Sequence, residues 1–255
     1  MKTLSDYALN VFSQFGEDGI VQKIFEILKT SSKICIEFGA WDGFYLSNTA
    51  NLWTRGWKGI LIESDKERYG TLVESVKKYN CRCINAKVTH EGNNTLEMIL
   101  QREALLNDVD LLSIDVDGDD YYILESLREI KPRLIICEYN PTIPMHLDLV
   151  AEPGNYFGCS ALSLIRLAEA KGYKLVAMTD TNCFFVQEKD FHSFSEYETS
   201  LQFLGTTKHL TYLITGYAGD YVASRMPIYG CTGATKQKLR GEYYSFPAET
   251  KRLLS

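Results

Sequence analysis

A chain of 255 residues that is 45% hydrophobic and 24% charged, with only 6 prolines, carries enough apolar material for a substantial core, which excludes a disordered or low-complexity protein. Its formal charge of −6 argues against nucleic acid as its partner, since duplex binding asks for a basic face. Seven cysteines, odd in number and mostly inside apolar runs, suit reduced core thiols, and with no apolar signal core and no membrane-length run the expected location is cytoplasmic, without a membrane span.

In chain order, the acidic entry Gly16-Glu17-Asp18-Gly19 leads into a helix with Ile20, Ile24, Ile27 and Leu28 on one face. Lys33 to Phe38 reads as a buried strand running into a glycine-rich turn. Ser47 and Asn48 can cap a helix reaching about Arg55. Gly59 to Glu63 is the second strand, followed by a helix from Lys66 to Tyr79. Cys81 to Val88 and Val109 to Val116 read as strands, with helices at Leu96 to Leu106 and Tyr121 to Glu129. Pro132 breaks the last of these before a strand from Arg133 to Tyr139. Ser160 to Lys171 is a helix stopped at Gly172, and Tyr173 to Met178 with Cys183 to Gln187 form a strand pair.

Repeated strand–helix units require right-handed crossovers, so the expected α/β fold is a Rossmann-like, doubly wound, mostly parallel seven-stranded sheet over residues 1–190. Residues 191–255 break that rhythm and are rich in tyrosine (Tyr197, Tyr212, Tyr217, Tyr221, Tyr243, Tyr244). They read as an extension on the same domain, serving as a lid or as the contact of a homodimer.

Ligands of open parallel sheets sit beyond the carboxyl ends of the strands, which directs attention to Glu37-Phe38-Gly39-Ala40-Trp41-Asp42-Gly43. The spacing G-x-x-x-G lacks the tight turn of a dinucleotide fingerprint, and an acid before it repels phosphate. It attracts an ammonium group instead, such as the amino acid end of S-adenosylmethionine. Glu63, about twenty residues on at the end of the next strand and followed by Ser64, can accept both ribose hydroxyls. The two acids in that order point to an adenosyl site.

At Phe12-Ser13-Gln14-Phe15-Gly16-Glu17-Asp18-Gly19-Ile20, Glu37 to Gly43, Ser47-Asn48-Thr49, Trp57 to Glu63, Ser113 to Gly118 and Glu138-Tyr139-Asn140 the chain resembles the FkbM-type class I methyltransferases. The resemblance covers roughly residues 12–190. It implies an S-adenosylmethionine-dependent O-methyltransferase of sugars or natural products, with Glu37 and Gly39 at the methionine end, Glu63 on the ribose, and Asn85 to Val88, Lys87 included, beside the adenine. Asn48 and Asp115 join the expected donor contacts, and Trp41, in the turn itself, can touch the donor. Gln14, Glu17 and Asp18 match the family motif without an assigned role.

Asp115 and Asp117 end one strand, and Glu138 and Asn140 end the next; alternation places each pair on one side of its strand. Crowded carboxylates repel unless protonated or neutralised. Oxygen ligands suit Mg2+ or Mn2+, or Ca2+, rather than zinc. The competing reading has Asp115 and Asp117 capping a helix and Glu138 pairing with a basic side chain. An EF-hand fails because its sixth position is Asp120 instead of glycine. Without a metal, the general base is Asp117 or His146, the histidine best placed to reach the site mouth. Tyr156, in a helix-entry turn, is a substrate contact by the resemblance, as Asn140 is by position. The expected function is O-methylation of a sugar or nucleotide-sugar hydroxyl, with surface polysaccharide biosynthesis as the expected setting. A small natural product or a lipid is the alternative acceptor, and a non-catalytic binding subunit the alternative of another class.

Overall fold

The computed structural model describes residues 2–105 and 108–226, together with the backbone of two short strands at 235–237 and 243–245. Leu106 and Cys231 lie outside the described residues. The chain divides into two compact units: residues 1–140 with 145–205, and residues 141–144 with 206–255.

The first unit alternates helix and strand: α1 (Glu17–Leu28), β1 (Ile34–Phe38), α2 (Ala50–Trp53), β2 (Lys58–Glu63), α3 (Lys66–Val76), β3 (Cys81–Asn85), α4 (Leu96–Arg102), β4 (Leu111–Ile114), α5 (Asp120–Ser126), β5 (Leu134–Glu138), α6 (Ala161–Ala170), β6 (Tyr173–Met178), β7 (Asn182–Gln187) and α7 (Leu201–Leu204). The seven strands make one sheet in the order β3-β2-β1-β4-β5-β7-β6. Strands β1 to β5 pair in parallel, and β7 runs antiparallel to both β5 and β6. The order reverses direction beside β1, where a crevice opens above the strand ends of a doubly wound sheet.

Apolar residues on both sides of each strand explain why both faces are covered. Cys35, Leu61, Leu111 and Ile136 pack with Ile20, Ile24 and Phe25 of α1, Trp53 of α2, and Leu72 and Val76 of α3. Ile36, Ile60, Leu112 and Ile135 face α4, α5 and α6 through Ile99, Ile123 and Leu164. Burying one such aliphatic side chain contributes about 1.5–3 kcal/mol, so the two layers dominate the stability of the unit. Helix starts follow side-chain chemistry. Asp65 accepts from the amides of Glu67 and Arg68 to start α3, Thr95 accepts from Met98 for α4, and Ser160 accepts from Ser163 for α6.

The expected strand to Val88 stops at Asn85, and that to Val116 stops at Ile114. Asp115 and Asp117 therefore leave strand geometry, and the two-residue alternation expected to align them does not operate. Asp117 has a φ of 57° and Gly118 of 139°, so a left-handed turn presents them.

In the second unit, β8 (Leu213–Thr215) and β9 (Tyr221–Ala223) form a hairpin, and β10 (Thr235–Gln237) and β11 (Tyr243–Ser245) extend it to a four-stranded sheet, β10-β11-β9-β8. Three-residue strands in a tyrosine-rich segment leave too little alternation to read from sequence. No helix among the described residues is long and apolar enough to cross a membrane.

Candidate functional site

Beyond the carboxyl ends of β1, β2 and β4 lies a cavity of about 480 Å³, a size that accommodates a nucleoside-sized ligand. Its wall includes Gly39, Trp41, Glu63, Ser64, Arg68 and Lys87 on one side, and Asp117, Gly118, Asp119 and Tyr156 on the other. Gly39 has a φ of 72°, and a Cβ there would stand 2.6 Å from the carbonyl oxygen of Asp115, so only glycine lets the β1 and β4 turns close on each other.

Glu63 is buried in the wall. Its carboxylate accepts from the amides of Trp41 at 2.8 Å and Asp65 at 2.7 Å, which fixes the acid and leaves further lone pairs for a ligand. Asn85 turns its side-chain amide back to the Glu63 carbonyl at 2.8 Å, which ties the β3 end to that of β2. Trp41 also adopts a left-handed φ, 48°, and carries the Arg68 guanidinium 4.0 Å from its ring centre. Arg68 had no signature in the sequence; it reaches the cavity only because α3 begins directly after β2.

Several residues expected at the donor lie elsewhere. Glu37 is not in the cavity wall. It points into the layer under α1 and α2, where its carboxylate accepts from the Ser47 hydroxyl at 2.6 Å, the Thr49 hydroxyl at 2.7 Å and the Asn48 amide at 2.8 Å. Burial still raises its pKa, opposed by those three donors. Asn48 is buried beside it and donates to the Ser113 hydroxyl at 3.1 Å. Asp42 accepts from the amides of Phe44 and Tyr45, closing its own turn, and Gly43 packs toward Val76 and Leu72. These four shape the turn from behind.

Asp115, Asp117 and Glu138 do converge, each offering an oxygen within 4.8 Å of the others. Asp115 and Glu138 are half-buried behind the wall, and Asp117 is exposed in it. Burial, followed by the charges of Asp120, Asp117, Glu37 and Glu17, pushes Asp115 up to about 8. Burial, followed by the charges of Asp115, Asp120 and Asp117, holds Glu138 higher still. Four carboxylates, those of Asp115, Asp117, Asp120 and Glu138, crowd here, and among the described residues no ion pair reaches them, which removes the alternative of a Glu138 ion pair. The helix-capping alternative fails as well, because the residue at the cap of α5 is Asp119 and no side chain caps the helix. Asp120 accepts from the amides of Val116 and Gly118, both at 2.9 Å, which closes the turn before the helix, and burial lifts it to about 6.

Asn140 lies next to this group in sequence, but its amide donates to the Phe157 carbonyl at 2.8 Å and it is not in the cavity wall. His146 is exposed on the surface and is likewise absent from the wall, because the chain turns away after β5. Tyr156 does line the cavity and is 88% exposed. Its loop is held by the Asp119 carboxylate, which accepts from the Gly154 amide at 2.6 Å. Glu17 and Asp18 acquire roles. Asp18 accepts from the amides of Val11, Phe12 and Ser13, and Glu17 accepts from Phe15, the Thr179 hydroxyl and the Asn182 amide.

No family model matches the chain, and no curated protein matches it in sequence. Solved structures similar to it include the CMeT domain of the citrinin polyketide synthase (11% identity, TM-score 0.45, covering 67% of this chain and 51% of that one). Monomeric WbdD is similar at 15% identity and TM-score 0.40, over 66% of this chain and 40% of that one. A SAM dependent methyltransferase from Aquifex aeolicus is similar at 14% identity and TM-score 0.38, over 67% and 88%. The chain thus spans about half the length of the first and two fifths of the second. Likeness at these levels speaks to no residue and no substrate.

Proposed function

We propose that this protein transfers a methyl group from S-adenosylmethionine to a hydroxyl of a sugar or nucleotide-sugar. The observation that carries this reading is the cavity itself. It lies above the strand ends of a doubly wound sheet, with an exposed glycine at the end of β1, a buried carboxylate at the end of β2, and acids in place of the phosphate-binding groups of a dinucleotide site. Glu63 takes the ribose diol, Lys87 and Ser64 flank the adenosine, and the methionine end lies over Gly39 beside the Asp115 carbonyl and the Asp117 carboxylate.

The acceptor enters between Asp117 and Tyr156. Its oxygen attacks the methyl carbon in line with the C–S bond; the C–O bond forms, the C–S bond breaks, and sulfur keeps the electron pair. Without a metal, the hydroxyl proton passes to the Asp117 carboxylate, the one member of the acid group exposed in the cavity. Holding both reactants in line accounts for much of the acceleration. An oxygen-only set at Asp115, Asp117 and Glu138, crowded and without a basic partner, fits Mg2+ or Mn2+ better than zinc. A divalent ion bound there supplies acidity to a hydroxyl and neutralises the carboxylates.

Calorimetric titration with S-adenosylmethionine and its demethylated product tests the donor, and binding of neither overturns the reading. A donor-release assay on a panel of nucleotide-linked sugars, with and without divalent ions, tests the acceptor. Asp117→Asn, whose side chain tolerates the left-handed turn, is expected to lower turnover at least tenfold with the donor still bound.

A further inference from the structure

Among the described residues of the seven-stranded sheet, one buried side-chain oxygen is left without a hydrogen-bond partner. Asn182, 4% exposed, stands on β7 directly opposite Glu138 of β5 in the antiparallel register, and paired residues of neighbouring strands project from the same face. Its amide orientation is set by Glu17. That carboxylate can only accept, already takes the Thr179 hydroxyl at 2.7 Å, and lies 3.2 Å from Asn182 Nδ2. The nitrogen must face Glu17, which turns Oδ1 away from it, and Oδ1 is buried without a hydrogen-bond partner. A buried amide oxygen so stranded is costly unless a ligand or ion satisfies it. Across the ladder, Glu138 forms a group with Asp115 and Asp117 in which each offers an oxygen within 4.8 Å of the others.

We infer that Asn182 Oδ1 is the fourth protein ligand of a divalent cation held by Asp115, Asp117 and Glu138, with Glu17 as the residue that positions it. This rests on the cation reading given above, and it moves the amide ligand from Asn140, at the end of β5, to the adjoining strand. A neutral oxygen added to carboxylates is a hard, oxygen-only set of the kind Mg2+ and Mn2+ accept. It also gives the acidic start of α1 a purpose. Glu17 reaches β7 through the Asn182 amide, so the helix fixes the ligand from the far side of the layer.

Mn2+ titration of the full chain, followed by electron paramagnetic resonance of the free ion and with neither donor nor acceptor present, tests the assignment. The wild-type protein is expected to bind one ion. Asn182→Ala is expected to weaken it at least tenfold, and Asn182→Asp, which keeps an oxygen in place, to bind as well as wild type or better. Glu17→Gln should weaken Mn2+ several-fold in the wild-type background and not at all in the Asn182→Ala background, a dependence that a general loss of packing does not produce. Absence of Mn2+ binding by the wild-type chain defeats the cation reading itself. Wild-type binding that Asn182→Ala leaves unchanged, or that Asn182→Asp impairs as much as Asn182→Ala does, overturns the role of Asn182 and leaves the three carboxylates standing.

Discussion

Two neighbouring strands, β1 and β2, each finish in a buried glutamate, and the two residues serve opposite purposes. Glu37 faces the layer beneath α1 and α2, where two hydroxyls and an amide use its oxygens to hold the start of α2. Glu63 faces the cavity, where two backbone amides hold it in place and leave lone pairs toward the opening. Position along the strand, and not its side, separates them. In the parallel register Glu37 lies level with Leu61, so Glu63 stands two residues further toward the carboxyl end on the same face. An acid at a strand end is thus a structural anchor or a cavity residue according to how far past the covering helices it stands.

The sharpest way to break that contrast is to remove each acid. Glu37→Ala strands three buried donors at about 1–3 kcal/mol each, a large part of a domain's stability, and chemical denaturation should show a much lower midpoint. A wild-type midpoint combined with lost donor binding would reverse the two roles. Glu63→Gln removes the charge while keeping one acceptor. It should lower the midpoint less than Glu37→Ala does, since one of the two backbone amides loses its acceptor, and raise the S-adenosylmethionine dissociation constant about tenfold or more by calorimetry, since hydrogen bonds to a charged group contribute about 1.5–3 kcal/mol.

A smaller effect comes from pH. The folded pKa of Asp115 is raised to about 8, that of Glu138 is higher, and that of Glu37 is raised, so between the ordinary carboxylate range and those values the folded state binds more protons than the unfolded one. Stability then falls as pH rises through that window. The metal-free protein should melt at a higher temperature at about pH 6 than at about pH 8, and saturating Mg2+ should narrow the difference. Least of all should His146→Ala matter: the ring is exposed outside the cavity wall, and turnover within about twofold of wild type is expected from a surface substitution. A large loss there would reinstate it as the base.

The sheet was legible because alternating apolar strands and amphipathic helices leave a strong signal over residues 17–187, with errors of a few residues at element ends. At the site, Gly39, Trp41, Glu63, Ser64, Lys87, Asp117 and Tyr156 were legible as cavity residues, and the convergence of Asp115, Asp117 and Glu138 as a cluster. The burial of Glu37 under α1 and α2 was not, because a motif marks a position along the chain and says nothing of which helices cover its side chain. Arg68 and Asn182 were invisible for a related reason. Each matters only through a partner brought near by the fold: Trp41 for the first, and Glu17 with Glu138 for the second.

At Gly118, any side chain larger than hydrogen would collide with the backbone of Asn155, whose carbonyl oxygen would stand 2.7 Å from a Cβ, and the neighbouring Asp119 grips Gly154. The segment bearing Tyr156 is accordingly riveted to the turn bearing Asp117. The gap between the tyrosine ring and the carboxylate is thus preset by covalent and hydrogen-bonded geometry. On the proposed function, bulk at position 118 would pry that gap open and blur discrimination among acceptors before it weakened donor capture.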